Sequence, residues 1–414
     1  MNKPGLRTIA AGLLTGALAL TGLSACSSGG GDSRTIEVDY QSDDFAGAFL
    51  GFYPREVTVT PGMTLKFHQT WTGEPHSVSF SSLADDAVKP IMPLLDDVAA
   101  GKVPLPDEPP DTYNSEVFDE TLPSMFGPFD GLGQAASFPC YVKSADDLPL
   151  PSPDDPKSNK ACKKADQKQP EFDGTYAYYS SGFIPFEGEL ANEFEMKIAD
   201  DAKEGTYFYY CNAHGIPMGG KVTVKDDAEV ESQAAMNRRG KEEADRVAKP
   251  LLAAYEKEKA GDGAFPLPLA GSGDETTLGI EGIVNEFTPR TINAKVGEKV
   301  TWTFIGNHTI SFNVPPYTPL FIFDKKDSGE FKFNESLDKP AGGWPGVPEG
   351  RFESEEEPEP VTLDAGNFDG SGGLKSSGVD TIDGDKYSVT FTKAGTYPYA
   401  CLIHPGMIGK VVVK

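Results

Sequence analysis

The chain has 414 residues and a formal net charge of −26, from 63 Asp and Glu against 37 Lys and Arg. That length is too great for one small core and suits two domains. The acidity excludes nucleic acid as a partner, because phosphate contacts need Lys and Arg; it describes a solvated surface that could steer a basic protein.

Residues 1–26 read as a segment that does not belong to the fold: Lys3 and Arg7 precede an apolar Ala/Leu/Gly stretch that ends in small residues. The run Leu23-Ser24-Ala25-Cys26, followed by Ser-Ser-Gly-Gly-Gly, resembles a bacterial lipobox. That resemblance implies acylation of Cys26, which becomes the mature N-terminus; ordinary secretion with an incidental cysteine is the other reading. Both place the chain outside the cytoplasm. No other stretch is long and apolar enough to span a bilayer, so the membrane is reached only through the lipid anchor.

A first β-rich domain is expected over 34–226. It opens with Phe52-Tyr-Pro54-Arg55, a glycine at Gly62 and the alternation Met63-Thr-Leu65-Lys-Phe67. A histidine follows at a polar-to-apolar switch, Glu74-Pro75-His76-Ser77-Val78. An insertion over ~83–175, rich in Pro and Asp, carries Cys140 and Cys162. An oxidising compartment would pair these two, closing a loop of about 22 residues for roughly 3 kcal/mol; two free buried thiols are the alternative. The domain ends with Gly-Thr-Tyr-Phe-Tyr-Tyr-Cys211-Asn-Ala-His214-Gly-Ile-Pro-Met218 and a closing strand from Gly220. Residues 227–272, rich in Ala, Glu, Lys and Arg, read as a helical and flexible connector interrupted at Pro250.

The domain over 273–414 then repeats the plan. Phe287-Thr-Pro289-Arg290 precedes Gly297 as the earlier motif precedes Gly62, and Val300-Thr-Trp302-Thr-Phe304 alternates as before. His308 stands in Gly306-Asn307-His308-Thr309-Ile310. After an insertion over ~315–370, Gly-Thr-Tyr-Pro-Tyr-Ala-Cys401-Leu-Ile-His404-Pro-Gly-Met407 leads into a last strand from Gly409. Short alternating strands with Gly/Pro turns, met twice, predict two antiparallel β-sandwiches and an all-β fold.

Five histidines and five cysteines in this chain would give roughly 0.06 Cys-x-x-His by chance. Two copies, each followed by a methionine, are therefore a signal. Thiolate and thioether favour copper(I), and imidazole serves copper(I) and copper(II) alike. A structural zinc site would use more cysteines, and a disulfide between Cys211 and Cys401 is the remaining competitor.

Both halves resemble the cupredoxins, the plastocyanin/azurin class of blue copper proteins: an early histidine, then a late Cys-His-Met loop before a final strand. The resemblance implies two Greek-key β-sandwiches and two copper ions. His76, Cys211, His214 and Met218 would hold one ion; His308, Cys401, His404 and Met407 would hold the other. It also implies that the loop histidines, His214 and His404, are partly exposed entry points for electrons. Two residues separate His404 from Met407, as in amicyanin-like proteins, but three separate His214 from Met218. Ser77 and Thr309 stand where many cupredoxins have Asn. The implied role is extracytoplasmic electron transfer with a redox partner such as a cytochrome or a copper enzyme, not catalysis: one spare histidine, His68, and no His-x-His leave nothing for a catalytic copper cluster. Copper storage or delivery, and a subunit of a larger respiratory or denitrification complex, are the alternatives.

Overall fold

Alternation sets the faces of the strands. In Thr64–Gln69, Leu65, Phe67 and Gln69 point inward; in Lys299–Phe304, Val300 and Trp302 do the same. A computed structural model describes residues 33–40, 45–82, 93–94, 96–97, 102, 139–144, 169–184, 192–263, 265–272, 282–315, 321–324, 330–333, 359–379 and 382–414. The expected leader over 1–26, with the expected lipidation of Cys26, and Cys162 lie outside these residues. Cys140 is buried and disulfide-bonded.

The first half supplies β1 (Ser33–Val38), β2 (Gly47–Ala48), β3 (Phe52–Tyr53), β4 (Glu56–Val59), β5 (Thr64–Gln69), β6 (Ser77–Ser81), β7 (Cys140–Val142), β8 (Tyr178–Phe183), β9 (Glu193–Lys197), β10 (Gly205–Cys211) and β11 (Gly215–Val224). A helix follows, α1 (Gln233–Lys259). The second half supplies β12 (Leu269–Ala270), β13 (Ile283–Val284), β14 (Phe287–Thr288), β15 (Thr291–Ala294), β16 (Lys299–Phe304), β17 (Ser311–Phe312), β18 (Phe321–Asp324), β19 (Glu330–Phe333), β20 (Thr362–Phe368), β21 (Lys375–Ser376), β22 (Lys386–Phe391), β23 (Gly395–Ala400) and β24 (Ile408–Val413).

The two halves share one topology. Sheets ordered β3-β1-β5-β9 and β4-β11-β10-β6-β8-β7 recur as β14-β12-β16-β22-β20 and β15-β24-β23-β17-β21. The sheets are mixed rather than antiparallel throughout: β1 runs parallel to β5, and β4 to β11, with β12–β16 and β15–β24 matching them. Between β1 and β5 the chain crosses to the other sheet and returns on the same heading, which a hairpin cannot do.

Aromatic residues fill both cores. Phe52, Phe67, Phe80, Phe172 and Tyr209 form one; Phe287, Trp302, Phe312, Tyr387 and Tyr399 form the other. Tyr209 and Tyr399 lie edge-on to neighbouring rings at centroid distances of 4.8 Å and 4.6 Å, a favourable geometry. The insertions are not wholly outside the sandwiches. β7 pairs with β8, and β20 lies parallel beside β22, because their apolar residues Val142, Leu363 and Phe368 bury into the cores.

The connector corrects one expectation. α1 runs unbroken through Pro250. Proline removes one backbone hydrogen bond and crowds the preceding turn. Here Leu251 and Tyr255, just beyond it, bury against Phe45, Phe49 and Tyr53 and hold the distal half in place. Ser232 caps the start, its side chain accepting from the backbone N–H of Ala235. The same cluster contains Val284 of β13, which pairs with β2, so the halves are stitched beneath the helix. No helix among the described residues is long and apolar enough to cross a membrane.

Candidate metal centres

Each half brings an imidazole from the start of one strand against a thiolate at the end of the neighbouring strand. His76 immediately precedes β6, and Cys211 closes β10, its antiparallel partner. His214 sits in the following turn, where Gly215 at φ +72° permits the chain to reverse into β11. In the second half His308 precedes β17, Cys401 follows β23, and His404 occupies the turn before β24.

The donor atoms converge. Cys211 Sγ lies 3.5 Å from His214 Nδ1 and 3.9 Å from His76 Nδ1. Cys401 Sγ lies 3.7 Å from His404 Nδ1, which is 3.1 Å from His308 Nδ1. Within each set the three donor atoms fall inside 4.8 Å of one another. Donor separations of 3.1–3.9 Å fit around one ion at bond lengths of about 2.0–2.3 Å. Met218 and Met407 are fully buried, each in the same core cluster as its cysteine. Cys211 and Cys401 are free thiols, not a disulfide.

Backbone groups hold the thiolates. The N–H of Ser77 points at Cys211 Sγ and that of Thr309 at Cys401 Sγ, both at 3.4 Å. The hydroxyls of the same residues tie the cysteine loops down: Ser77 Oγ accepts from Asn212 N–H, and Thr309 Oγ1 from Leu402 N–H, each at 2.8 Å. Loop and histidine strand are thereby locked before any ion arrives.

Burial alone would raise the Cys211 thiol, but the imidazoles of His214 and His76 outweigh it and hold the group well below its usual range. Cys401 behaves likewise, through His308 and His404. The loop histidines respond in kind. Burial lowers His214, yet the Cys211 thiolate and Glu74 push it up to about 10. His404 rises to about 9 against burial, through Cys401 and Glu74. The metal-free pockets are thus thiolate–imidazolium pairs.

The early histidines differ. His76 Nε2 is 2.9 Å from Asp39 Oδ2, with both side chains fully buried. Against burial, the bonds to Asp39 and Cys211 raise the His76 ring above its ordinary value. Burial lowers His308, whose Nε2 finds no hydrogen-bond partner among the described residues.

Spacing in the sequence does not reveal Asp39 or Glu74. Glu74 accepts from both loop histidines, at 3.4 Å from His214 and 2.9 Å from His404. The only trace of it is a mismatch between copies, Glu74-Pro75-His76 against Gly306-Asn307-His308. The burial of His404 corrects another expectation. It is only 2% exposed rather than partly open, because the turn of the first half that carries Gly73 and Glu74 lies across it. His214 keeps 15% of its side chain exposed. His68 stands apart at the rim of β5, with Nδ1 2.8 Å from Glu37.

Residues 355–414 match the family described as copper binding proteins, plastocyanin/azurin family. Amicyanin of Paracoccus denitrificans is 68% identical over 28 residues, 7% of this chain and 21% of that protein's length. Solved structures of amicyanin variants also align. One copper(I) form has 22% identity over 31% of this chain and 73% of its own, and an oxidised form gives the same values; both have a TM-score of 0.17, too low to carry weight. The matched C-terminal segment contains Cys401, His404 and Met407. The similarity to the plastocyanin/azurin family of copper-binding proteins is thus carried by the C-terminal segment, residues 355–414.

Proposed function

We propose that the chain is an extracytoplasmic electron carrier holding two mononuclear blue copper ions, anchored to the membrane by lipid on Cys26. His76, Cys211, His214 and Met218 would hold one ion; His308, Cys401, His404 and Met407 would hold the other. The observation that carries this reading is the double convergence of two imidazoles and one thiolate, at matching strand positions in the two halves.

Copper bound there supplies a one-electron couple between copper(I) and copper(II). The protein's part is to keep the donor set from moving. Ser77 and Thr309 clamp the cysteine loops, Asp39 and Glu74 fix imidazole rings, and burial excludes water from all six imidazole and thiolate donors except the edge of His214. A set fixed in advance changes little between oxidation states, which is what a carrier needs and a storage site does not. His214, the less buried loop histidine, is the contact for a redox partner. Carriage of electrons rather than turnover of a substrate follows from the full set of protein donors on each ion.

Copper titration of the metal-free protein with electrochemical detection tests this. The reading requires two tightly held equivalents, each reduced and reoxidised reversibly by one electron. Ready loss of copper to a mild chelator, or a single equivalent, would contradict it.

A further inference from the structure

Glu74 belongs to neither donor set, yet it touches both. Its Oε2 is 3.4 Å from Nε2 of His214, and its Oε1 is 2.9 Å from Nε2 of His404. The two rings come from loops in different halves, and each turns Nδ1 toward its own cysteine. An imidazole that binds an ion through Nδ1 must carry its remaining proton on Nε2. That is the atom which meets Glu74. With one oxygen on each ring, Glu74 accepts from both at once.

The surroundings are built for this contact. Gly73, at φ +111°, lies so close to the second loop that a Cβ there would sit 2.4 Å from the carbonyl oxygen of Ile403 and 2.9 Å from Cδ2 of His404. Trp71 packs on the core of the second half, and Ala213, beside His214, packs on both cores. The second half has Gly306 where the first has Glu74, so one carboxylate serves two centres.

We propose that Glu74 is the link between the two centres, a positioning residue that holds both loop histidines in one tautomer and joins them by a hydrogen-bonded route, His214–Glu74–His404. The inference rests on the two-copper reading above. With both ions in place, one electron passes from the reduced to the oxidised centre; no bond breaks and no proton moves, because Glu74 remains an acceptor on both sides. A partner docking at the His214 edge would then communicate with the buried second centre through this carboxylate.

The test uses the full chain loaded with copper, and the variants Glu74→Gln and Glu74→Ala. In the diamagnetic copper(I) protein, proton NMR should show two slowly exchanging Nε2–H resonances, from His214 and His404. Both should shift in Glu74→Gln and vanish into solvent exchange in Glu74→Ala. After flash reduction of one centre, the fast intersite phase should be lost in Glu74→Ala and slowed in Glu74→Gln, while both thiolate–copper bands remain. Two bands with unchanged Nε2–H resonances and an unchanged intersite rate in Glu74→Gln would overturn the link, whether or not Glu74→Ala folds. A wild-type chain with only one copper band would instead overturn the two-centre reading.

Discussion

Asp39 Oδ2 lies 2.9 Å from Nε2 of His76, and the corresponding position in the second half is Gly271. Asp39 also receives Thr72 Oγ1 at 2.6 Å and the N–H of Phe49 at 2.7 Å. At Gly271 a Cβ would fall 2.6 Å from His308 Nε2, so no side chain fits there. A carboxylate on the far nitrogen makes a ring a stronger donor and favours the more highly charged ion. The first centre should therefore have the lower reduction potential, and electrons should rest on the second.

Asp39→Asn should raise the potential of the first centre and leave the second unchanged, as read by spectroelectrochemistry. Asn tolerates the φ of +65° at this position, so the backbone survives. Imperfect pairing of the new amide with buried neighbours costs about 1–3 kcal/mol. Equal potentials in the parent protein, or no shift in the variant, would contradict the asymmetry.

Copper loading should depend on pH, with a sign set by the loop histidines. In the metal-free protein His214 is raised to about 10 and His404 to about 9, so both rings hold an extra proton at pH 7. An ion entering at Nδ1 must expel that proton, so loading should release about one proton or more per centre at neutral pH. Apparent affinity should climb as pH rises toward 9 and fall as it drops. Loading at pH 7 in weak buffer with no proton release would exclude the imidazolium–thiolate pairs.

Thr309→Val keeps the shape of the side chain but removes the acceptor of Leu402 N–H, leaving a buried donor unpaired. Stability should fall by about 1–3 kcal/mol, with a shifted thiolate–copper band from the loosened loop. Thr309→Ser should restore both. Urea unfolding and absorption spectra decide the matter, and Ser77→Ala should repeat the result at the first centre.

Two substitutions in α1 should act in opposite directions. Gly240→Ala, ordinarily favourable in a helix by about 1 kcal/mol, would place Cβ 2.8 Å from the backbone of Tyr53 and should destabilise by lifting the helix off β3. Pro250→Ala removes an interior proline and should stabilise, by up to about 3 kcal/mol. Calorimetric melting compares them directly. A stabilising Gly240→Ala would show that the helix does not seat against Tyr53.

Local spacing made part of this molecule legible. The strands show in alternation, and the candidate donors show because cysteine, second histidine and methionine lie within one turn. Long-range geometry stayed hidden. Asp39 and Glu74 reach their histidines only after folding, and Glu74 meets His404 across 330 positions. The burial of His404 was invisible for the same reason, since a turn of the other half covers it. Propensity misled at Pro250, where tertiary burial of Leu251 and Tyr255 overrides the proline. Within the second insertion, β20 leaves little trace in the sequence because its burial alternates only weakly, through Leu363 and Phe368.

The central claim is that each half encloses its own thiolate-bound copper. Absorption spectra and copper content of the loaded protein, Cys211→Ser and Cys401→Ser test it most directly. The account predicts an intense thiolate-to-copper band with two coppers in the parent, and about half the band in each variant, since each removes one of two equivalent donors. A colourless parent, or variants that retain the full band, would contradict it.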